Sequence, residues 1–324
     1  MIRRSRKAAL FTALLVLVAV AAYAASASSG AGTIKVVYVQ GLTGNPFYTT
    51  VTCGAAAQAK ASGVDFSFQG PGEWSVEKQT TIVNAIVASK PSAIMISAAD
   101  PKAMIIPLKA AKDAGIKVIM IDGDLADKSI ATTNIQSDNV LGGQLGGARL
   151  AKLMGGKGSV IALDNEPGIP LTQDRIKGFK NAIKKYPGIK FLGVKYTHNQ
   201  TAAAANIVST TASSNSSLTG VFSAETNNSE GAITGVREAK KIGKVFIVGY
   251  DTSDPIVAAL KKGTIGGAVV QFPYGEGVLG IKSAVAAAAG KPVPRNQGAP
   301  FVIATKQNVN TAKVQKFIYS TKCK

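Results

Sequence analysis

The chain has 324 residues, 46% hydrophobic and 17% charged, with 34 Gly and 13 Pro. That is enough for two domains of ordinary size, and it excludes a disordered, collagen-like or small disulfide-stapled chain. One His and two Cys exclude a multi-histidine metal site or a cysteine zinc cluster, while 37 basic against 18 acidic residues, a net charge of +19, would by itself suggest a nucleic-acid partner.

The first segment changes the meaning of that charge. Arg3, Arg4, Arg6 and Lys7 precede an apolar run from Ala8 to Ala22, followed by small-residue cleavage sites at Ala22-Tyr23-Ala24 or Ala25-Ser26-Ala27. This order predicts a cleaved secretory signal peptide over residues 1–27. The run is about 15 residues, against about 20 for a membrane span. No Cys follows it, so the lipobox of a lipoprotein is missing and a free periplasmic or extracytoplasmic protein is expected. The signal removes four basic residues and no acidic one, leaving a mature charge of +15. The remaining lysines are scattered, without the interleaved aromatics of a nucleic-acid stacking platform. They read as solvated helix faces, and no nucleic-acid partner is expected.

Beyond the signal, short β-branched runs alternate with amphipathic stretches. Strands are predicted at 34–40, 64–68, 93–97, 117–121, 159–163, 190–195, 220–223, 245–250 and 267–271. Helices are predicted at 47–62, 76–89, 103–114, 139–154, 172–186, 201–213, 229–240, 255–262 and 275–290. Regular alternation of this kind indicates parallel sheets covered by helices on both faces. About nine units exceed one doubly wound sheet, so the fold class is α/β with two Rossmann-like lobes. No Pro/Ser-rich tether separates the lobes, so several short crossings should join them in a hinge.

Ligands of such sheets collect at the carboxyl ends of the strands. There the sequence places Gly41 to Tyr48, Asp122-Gly123-Asp124, Asp164-Asn165-Glu166, Glu225-Thr226-Asn227, Asp251-Thr252 and Gln271 to Tyr274. Singly, such residues are ordinary turn and helix-cap formers. Together, carboxylates, amides and aromatic rings suit a polyhydroxyl ligand: the polar groups bind hydroxyls and the rings cover C–H faces.

The segments "GNPFYTTVTCGAAAQAKASGV", "IVASKPSAIMISAADPKAMIIPLKAAKDAGIKVIMID", "IQSDNVLGGQLGGARLAKLM", "DRIKGF", "SEGAITGVREAKKIGKVFIVGYD" and "LKKGTIGGAVVQFP" resemble the periplasmic sugar-binding proteins of ABC importers, the ribose/galactose kind of the type I periplasmic binding protein family. The resemblance spans about residues 33–305. It implies a non-enzymatic, monomeric protein without a cofactor, which closes two lobes on a small molecule by hinge bending and docks on a membrane permease. It implies a first lobe of 33–136 plus 272–300 and a second of 137–271 plus 301–324. Carried over by position, the contacts are Asn45, Phe47, Tyr48 and Asp122 in the first lobe, with Asp251 and Gln271 at lobe crossings. "QGPGEWSVEKQ" is similar to the autoinducer-binding branch, which adds Trp74 at the cleft edge.

Departures from the pattern bear on the ligand. Gly123 stands where the ribose branch has Arg, a second family Arg falls on Gln173, an Asn position falls on Glu225, and an aromatic position falls near His198 and Asn199. A site that has lost two positive charges and gained a carboxylate is expected to take a sugar or polyol other than ribose. The alternative is a cationic, amino-sugar or autoinducer-like ligand.

Other constellations carry less. A Ser-His-Asp device would have to use His198, and no G-x-S-x-G elbow precedes a helix. "GGKGS" runs from helix to strand, the reverse of a phosphate loop, and "GGQLGG" sits within a predicted helix, where it suggests close helix packing. A transcription-regulator core would carry a helix-turn-helix where this chain has its signal. Cys53 and Cys323 are the only cysteines; in an oxidising compartment one disulfide is expected, tying the tail to the first helix near the hinge.

Overall fold

A computed structural model of the chain describes residues 33–323; the predicted signal peptide lies outside the described residues. Two six-stranded sheets carry the fold. In the first, β1 (Lys35–Val39), β2 (Asp65–Gln69), β3 (Ala93–Ile96), β4 (Lys117–Ile121), β5 (Thr133–Ser137) and β11 (Asn296–Ala299) run in the order β11-β5-β4-β3-β1-β2, all parallel. In the second, β6 (Lys157–Asp164), β7 (Gly188–Tyr196), β8 (Leu218–Ser223), β9 (Phe246–Tyr250), β10 (Gly267–Val270) and β12 (Val302–Ala304) run in the order β12-β10-β9-β8-β6-β7. Only β12 is antiparallel.

The helices are α1 (Pro46–Ser62), α2 (Val76–Ala88), α3 (Ile105–Asp113), α4 (Asn139–Leu153), α5 (Pro170–Ile183), α6 (Thr201–Ser214), α7 (Thr226–Glu238), α8 (Asp254–Lys262), α9 (Pro273–Ala288) and the short α10 (Ala312–Gln315). Each sheet has its own apolar core. Val39, Ile94, Ile96, Leu108 and Met120 are buried in the first, and Val160, Ala162, Phe179, Phe222 and Val248 in the second.

All nine predicted strands form, and three further strands join them. β5 (TNIQS) and β11 (NQGA) are polar, and hydrogen bonds meet some of their buried groups: Thr133 Oγ1 donates to Pro294 O, and Gln297 Nε2 donates to Thr133 Oγ1, while Asn134 Oδ1 and Ser137 Oγ are buried without a partner. β12 is three residues long. Hydrophobic alternation cannot report strands of these kinds.

These missed strands carry two of the crossings. The chain passes from the first sheet to the second between β5 and α4, returns between β10 and α9, and crosses again between β11 and β12. Helix α9 packs on α1 and on β4, placing it with the first sheet. The tail, expected with the second lobe, does not stay there. Beyond β12 it returns to α1, where Ser320 N donates to Thr50 Oγ1 and Cys323 is bonded to Cys53. The disulfide between tail and first helix thus forms as expected. It lies close to the second crossing, since Gly54, next to Cys53, packs directly against the Tyr274 carbonyl.

Candidate functional site

Between the carboxyl ends of the two sheets lies a cavity of about 560 Å³, within the range of small-molecule sites. Its first wall is built by the GNPF turn. Gly44 has φ +79°, the Asn45 side chain caps α1 by accepting from Phe47 N at 2.8 Å, and Pro46 starts the helix. That fixes Phe47 and Tyr48 as nearly buried rings facing the cavity, edge to face at 5.4 Å. Trp74 lies over Tyr48 at 6.4 Å, half exposed at the rim. Buried Gln79, which the sequence reading missed, ties the loops behind this wall. Its amide nitrogen donates to Gln40 O and Ser97 O, and its oxygen accepts from Ala99 N.

The opposite wall is polar. Asn165 Oδ1 accepts from Asn228 Nδ2 at 3.1 Å, which leaves its amide nitrogen to donate toward the cavity it lines. Asn199 is held by Asn227 Nδ2 through its backbone and side-chain oxygens. Glu225 caps α7, accepting from Asn227 N at 3.0 Å and Asn228 N at 2.7 Å, so the cap role and the cavity position coincide in one residue. Burial pushes its carboxyl up to about 7, against the two N–H donors and the helix dipole that favour the anion. His198 and Glu166 form an exposed pair at 2.6 Å on the rim.

Arg175 is the cation of the site, and the sequence reading placed that position on Gln173. The structure corrects the assignment by two residues. Gln173 lines a separate surface depression with Lys177 and Lys180, whereas Arg175 is only 2% exposed and lines the main cavity. Helix geometry explains the shift. Thr172, Arg175, Ile176 and Phe179 form the buried stripe of α5, and Gln173 points about 200° away from Arg175 at ~100° per residue. The site has therefore not lost both of its cations.

Arg175 Nε donates to Asn139 Oδ1 and one terminal nitrogen to Ala224 O, both at 2.9 Å. The guanidinium lies 3.9 Å above the Tyr250 ring, and Asp251 Oδ2 is 3.8 Å away. What brings it here is the glycine pattern of α4. A Cβ at Gly143 would stand 1.9 Å from Arg175 O, and one at Gly178 would stand 1.9 Å from Val140 O. The two helices meet backbone to backbone, as expected from "GGQLGG".

Asp122 and Asp251 both adopt left-handed backbone, φ +54° and +66°, an uncommon conformation for a side-chain-bearing residue and one concentrated at functional sites. Burial pushes the Asp122 carboxyl up to about 7, with Arg175 opposing and Asp251 reinforcing. Its Oδ1 has no hydrogen-bond partner. Gln271 Nε2 donates to Asp251 Oδ1 at 2.9 Å, while Gln271 Oε1 is buried and unpartnered. Gln271 stands at the second crossing. Asp251, expected at a crossing too, instead directly follows β9 of the second sheet and is tied to the second crossing by Gln271.

Nine of the ten expected residues thus line one cavity: Asn45, Phe47, Tyr48, Trp74, Asp122, Asn199, Glu225, Asp251 and Gln271. Arg175, Asn165 and Thr226 join them. Unpartnered acceptors on Asp122 and Gln271, spare donors on Arg175 and Asn165, and flanking rings together match a ligand rich in hydroxyl groups. Among the described residues no group of three or more His, Cys, Asp or Glu converges as a metal site.

The pattern of the family described as "Periplasmic binding protein domain" matches residues 36–292. The chain is 29% identical over 227 residues to the D-apiose import binding protein of Paraburkholderia graminis, covering 70% of this chain and 72% of that one. Its fold superposes with a TM-score of 0.85 on an ABC transporter solute binding protein from Agrobacterium vitis bound with alpha-D-tagatopyranose, at 34% identity over 89% of this chain and 100% of that one. A carbohydrate transporter solute binding protein from Agrobacterium radiobacter in complex with D-arabinose gives 0.83 at 30% identity, with the same coverage.

Proposed function

The chain belongs to the periplasmic binding protein domain family, and from that premise we propose that it captures a monosaccharide or polyol between its lobes and delivers it to an ABC importer in the membrane. The observation that carries this reading is the cavity itself, in which hydroxyl-binding groups from both sheets surround one volume edged by Phe47, Tyr48 and Trp74. The family places the protein outside the cytoplasm. Release into the periplasm by cleavage after a signal over residues 1–27 is part of the proposal.

We assign Asn45, Asp122 and the aromatic rings to grip the ligand from the first lobe, of residues 33–136 plus 272–300. Asn165, Arg175, Asn199, Glu225 and Asp251 grip from the second, with Gln271 at the crossing. Neither set alone satisfies the ligand, so the closed arrangement is favoured only when ligand bridges both. No cofactor or catalytic group enters this scheme. Arg175 supplies one of the cations that the sequence reading counted as lost, and the cationic-ligand alternative loses that support.

A thermal-shift screen of the mature chain tests the reading. Its panel holds D-apiose, D-tagatose, D-arabinose, D-ribose, hexoses, polyols, amino sugars and small amines at 1 mM. A ligand with a Kd of about 1 μM stabilises by roughly 4 kcal/mol under those conditions, a shift of several degrees for a chain of this size. Shifts from neutral sugars or polyols are expected. Shifts from amines alone would overturn the assignment.

A further inference from the structure

The segment after β12 lies beyond residues 36–292 of the family match, and it reaches the ligand site. Phe317 packs on Phe272 at the second crossing, with centroids 4.7 Å apart. Tyr319, 8% exposed, follows. Its backbone N–H donates to Thr252 Oγ1 at 3.0 Å, its hydroxyl donates to Asp251 Oδ1 at 2.7 Å, and its ring meets Phe47 edge to face at 5.6 Å. Ser320 is then bound to Thr50, and Cys323 is covalently joined to Cys53. One short stretch is thus pinned to α1 on one side and holds residues 251–252 of the second sheet on the other.

The consequence for Asp251 is specific. Oδ1 accepts from both Gln271 Nε2 and the Tyr319 hydroxyl, so that oxygen is occupied by the protein. Oδ2 accepts one long hydrogen bond from Thr226 Oγ1 at 3.4 Å and faces Arg175 at 3.8 Å, and Asp251, Arg175 and Thr226 all line the cavity. Two donors on one oxygen fix the rotation of the carboxylate and aim the other oxygen at ligand. A residue in left-handed backbone, as Asp251 is, needs such outside restraint to keep its geometry. Tyr319 is not among the cavity-lining residues, so it acts through Asp251.

We propose that Tyr319 is a positioning residue for the ligand-binding carboxylate of Asp251, held in place by the Cys53–Cys323 bond. Ligand affinity in this protein therefore depends on a disulfide-anchored tail. The identity of the ligand rests on the function proposed above; the positioning role does not.

The test compares wild type, Tyr319→Phe, Cys323→Ser and the double variant. Tyr319→Phe keeps the ring against Phe47 and deletes only the hydroxyl. Titration calorimetry with D-tagatose, then D-arabinose, as probe is expected to show binding about tenfold weaker in Tyr319→Phe, the size expected for a hydrogen bond to a charged group. Its melting temperature should fall by only a few degrees, so that the fold is kept at the titration temperature. Cys323→Ser should weaken binding similarly, and the double variant should be no weaker than the poorer single one within about twofold, because both remove the same contact. Binding by Tyr319→Phe within twofold of wild type, or fully additive losses, would overturn the proposal.

Amide hydrogen exchange of Asp251 and Thr252 without sugar supplies the ligand-independent arm. Faster exchange in both single variants is expected, and unchanged exchange overturns the positioning role. Failure of wild type to bind either sugar or any sugar of the thermal panel sinks the proposed function instead, and the exchange arm then decides this one. If Cys323→Ser does not fold, wild type reduced in place with a phosphine takes its role: the disulfide gains two electrons and two protons to give two thiols, and the phosphine becomes its oxide with an oxygen from water.

Discussion

Replacing Arg175 with Met keeps most of the side-chain volume and removes the charge, the two hydrogen bonds to Asn139 and Ala224, and the contact over Tyr250. The residue is 2% exposed, so its charge is balanced chiefly by protein groups. Breaking a buried ion pair from one side typically costs about 3–5 kcal/mol, most of it from the charge left behind. Here the groups left behind are Asp251, 3.8 Å away, together with Asp122 and Glu225, whose carboxyls Arg175 holds down. The cost should therefore depend on pH. In wild type, Asp122 and Glu225 titrate near 7 when folded and near 3.8 and 4.5 when unfolded. Their raised values mean that the folded state binds more protons, so their contribution is full below about pH 4 and is lost as pH rises through 7. Without Arg175 both rise further and the loss steepens. Urea denaturation followed by circular dichroism should give a penalty of about 4 kcal/mol at pH 8 and about 1–2 kcal/mol less at pH 5, where both carboxyls are protonated in either protein. Equal penalties at the two pH values would refute this account of Arg175 as the counter-charge of the cleft.

The same carboxyls predict that sugar affinity rises between pH 6 and pH 8. Ligand hydroxyls that donate to Asp122 or Glu225 favour the anion, so binding expels protons; calorimetry in buffers of different ionisation enthalpy should detect the release, and its absence would place the ligand away from both groups. Gly143→Ala should separate α4 from α5, since its Cβ would stand 1.9 Å from Arg175 O. We expect a loss of about 1–3 kcal/mol and weaker sugar binding in titration, because Arg175 moves with its helix. Trp74 is the only Trp and stacks on Tyr48 at the rim; its fluorescence should change on ligand addition in wild type and not in Trp74→Phe excited at 295 nm, a wavelength chosen only to isolate indole. The Cys53–Cys323 bond closes a loop of 270 residues. Its removal should lower stability by about 5–6 kcal/mol in the loop-entropy description, measurable as a lower urea midpoint for Cys53→Ser/Cys323→Ser.

The lobes were legible because burial in a parallel sheet writes itself as apolar runs. AIMI and KVIMI in the first sheet are nearly all buried, and such runs alternate with amphipathic helices. The first and third crossings depend on strands that do not read this way. β5 is a buried, largely polar strand, and its Thr133 hydroxyl finds partners only far along the chain, at Pro294 and Gln297. No local pattern reports a distant partner. The site follows the same division. Asn45, Asp122, Glu225, Asp251 and Gln271 stand directly at or after strand ends or at a helix start, where position along the chain fixes position in space.

Arg175 and Tyr319 lie where that rule no longer applies. Arg175 sits inside a helix, so a slip of two residues turns the side chain from core to surface. The phase could have been found from the stripe Thr172, Arg175, Ile176 and Phe179, which repeats at helical spacing and puts Arg175 with the buried residues and Gln173 outside them. A buried Arg on such a stripe demands anions nearby, and the strand-end list already held them. Tyr319 had no such phase to read, because it lies in the irregular tail. Its only signal was the nearby Cys323: a covalent tie to the first helix forces the intervening residues past the hinge, and an aromatic hydroxyl carried there meets whichever acceptor the cleft presents, which is Asp251. Both misses thus have one cause. The cleft is assembled from two lobes and a tail, and the groups that orient its carboxylates come from elements whose direction is set by packing and not by strand order.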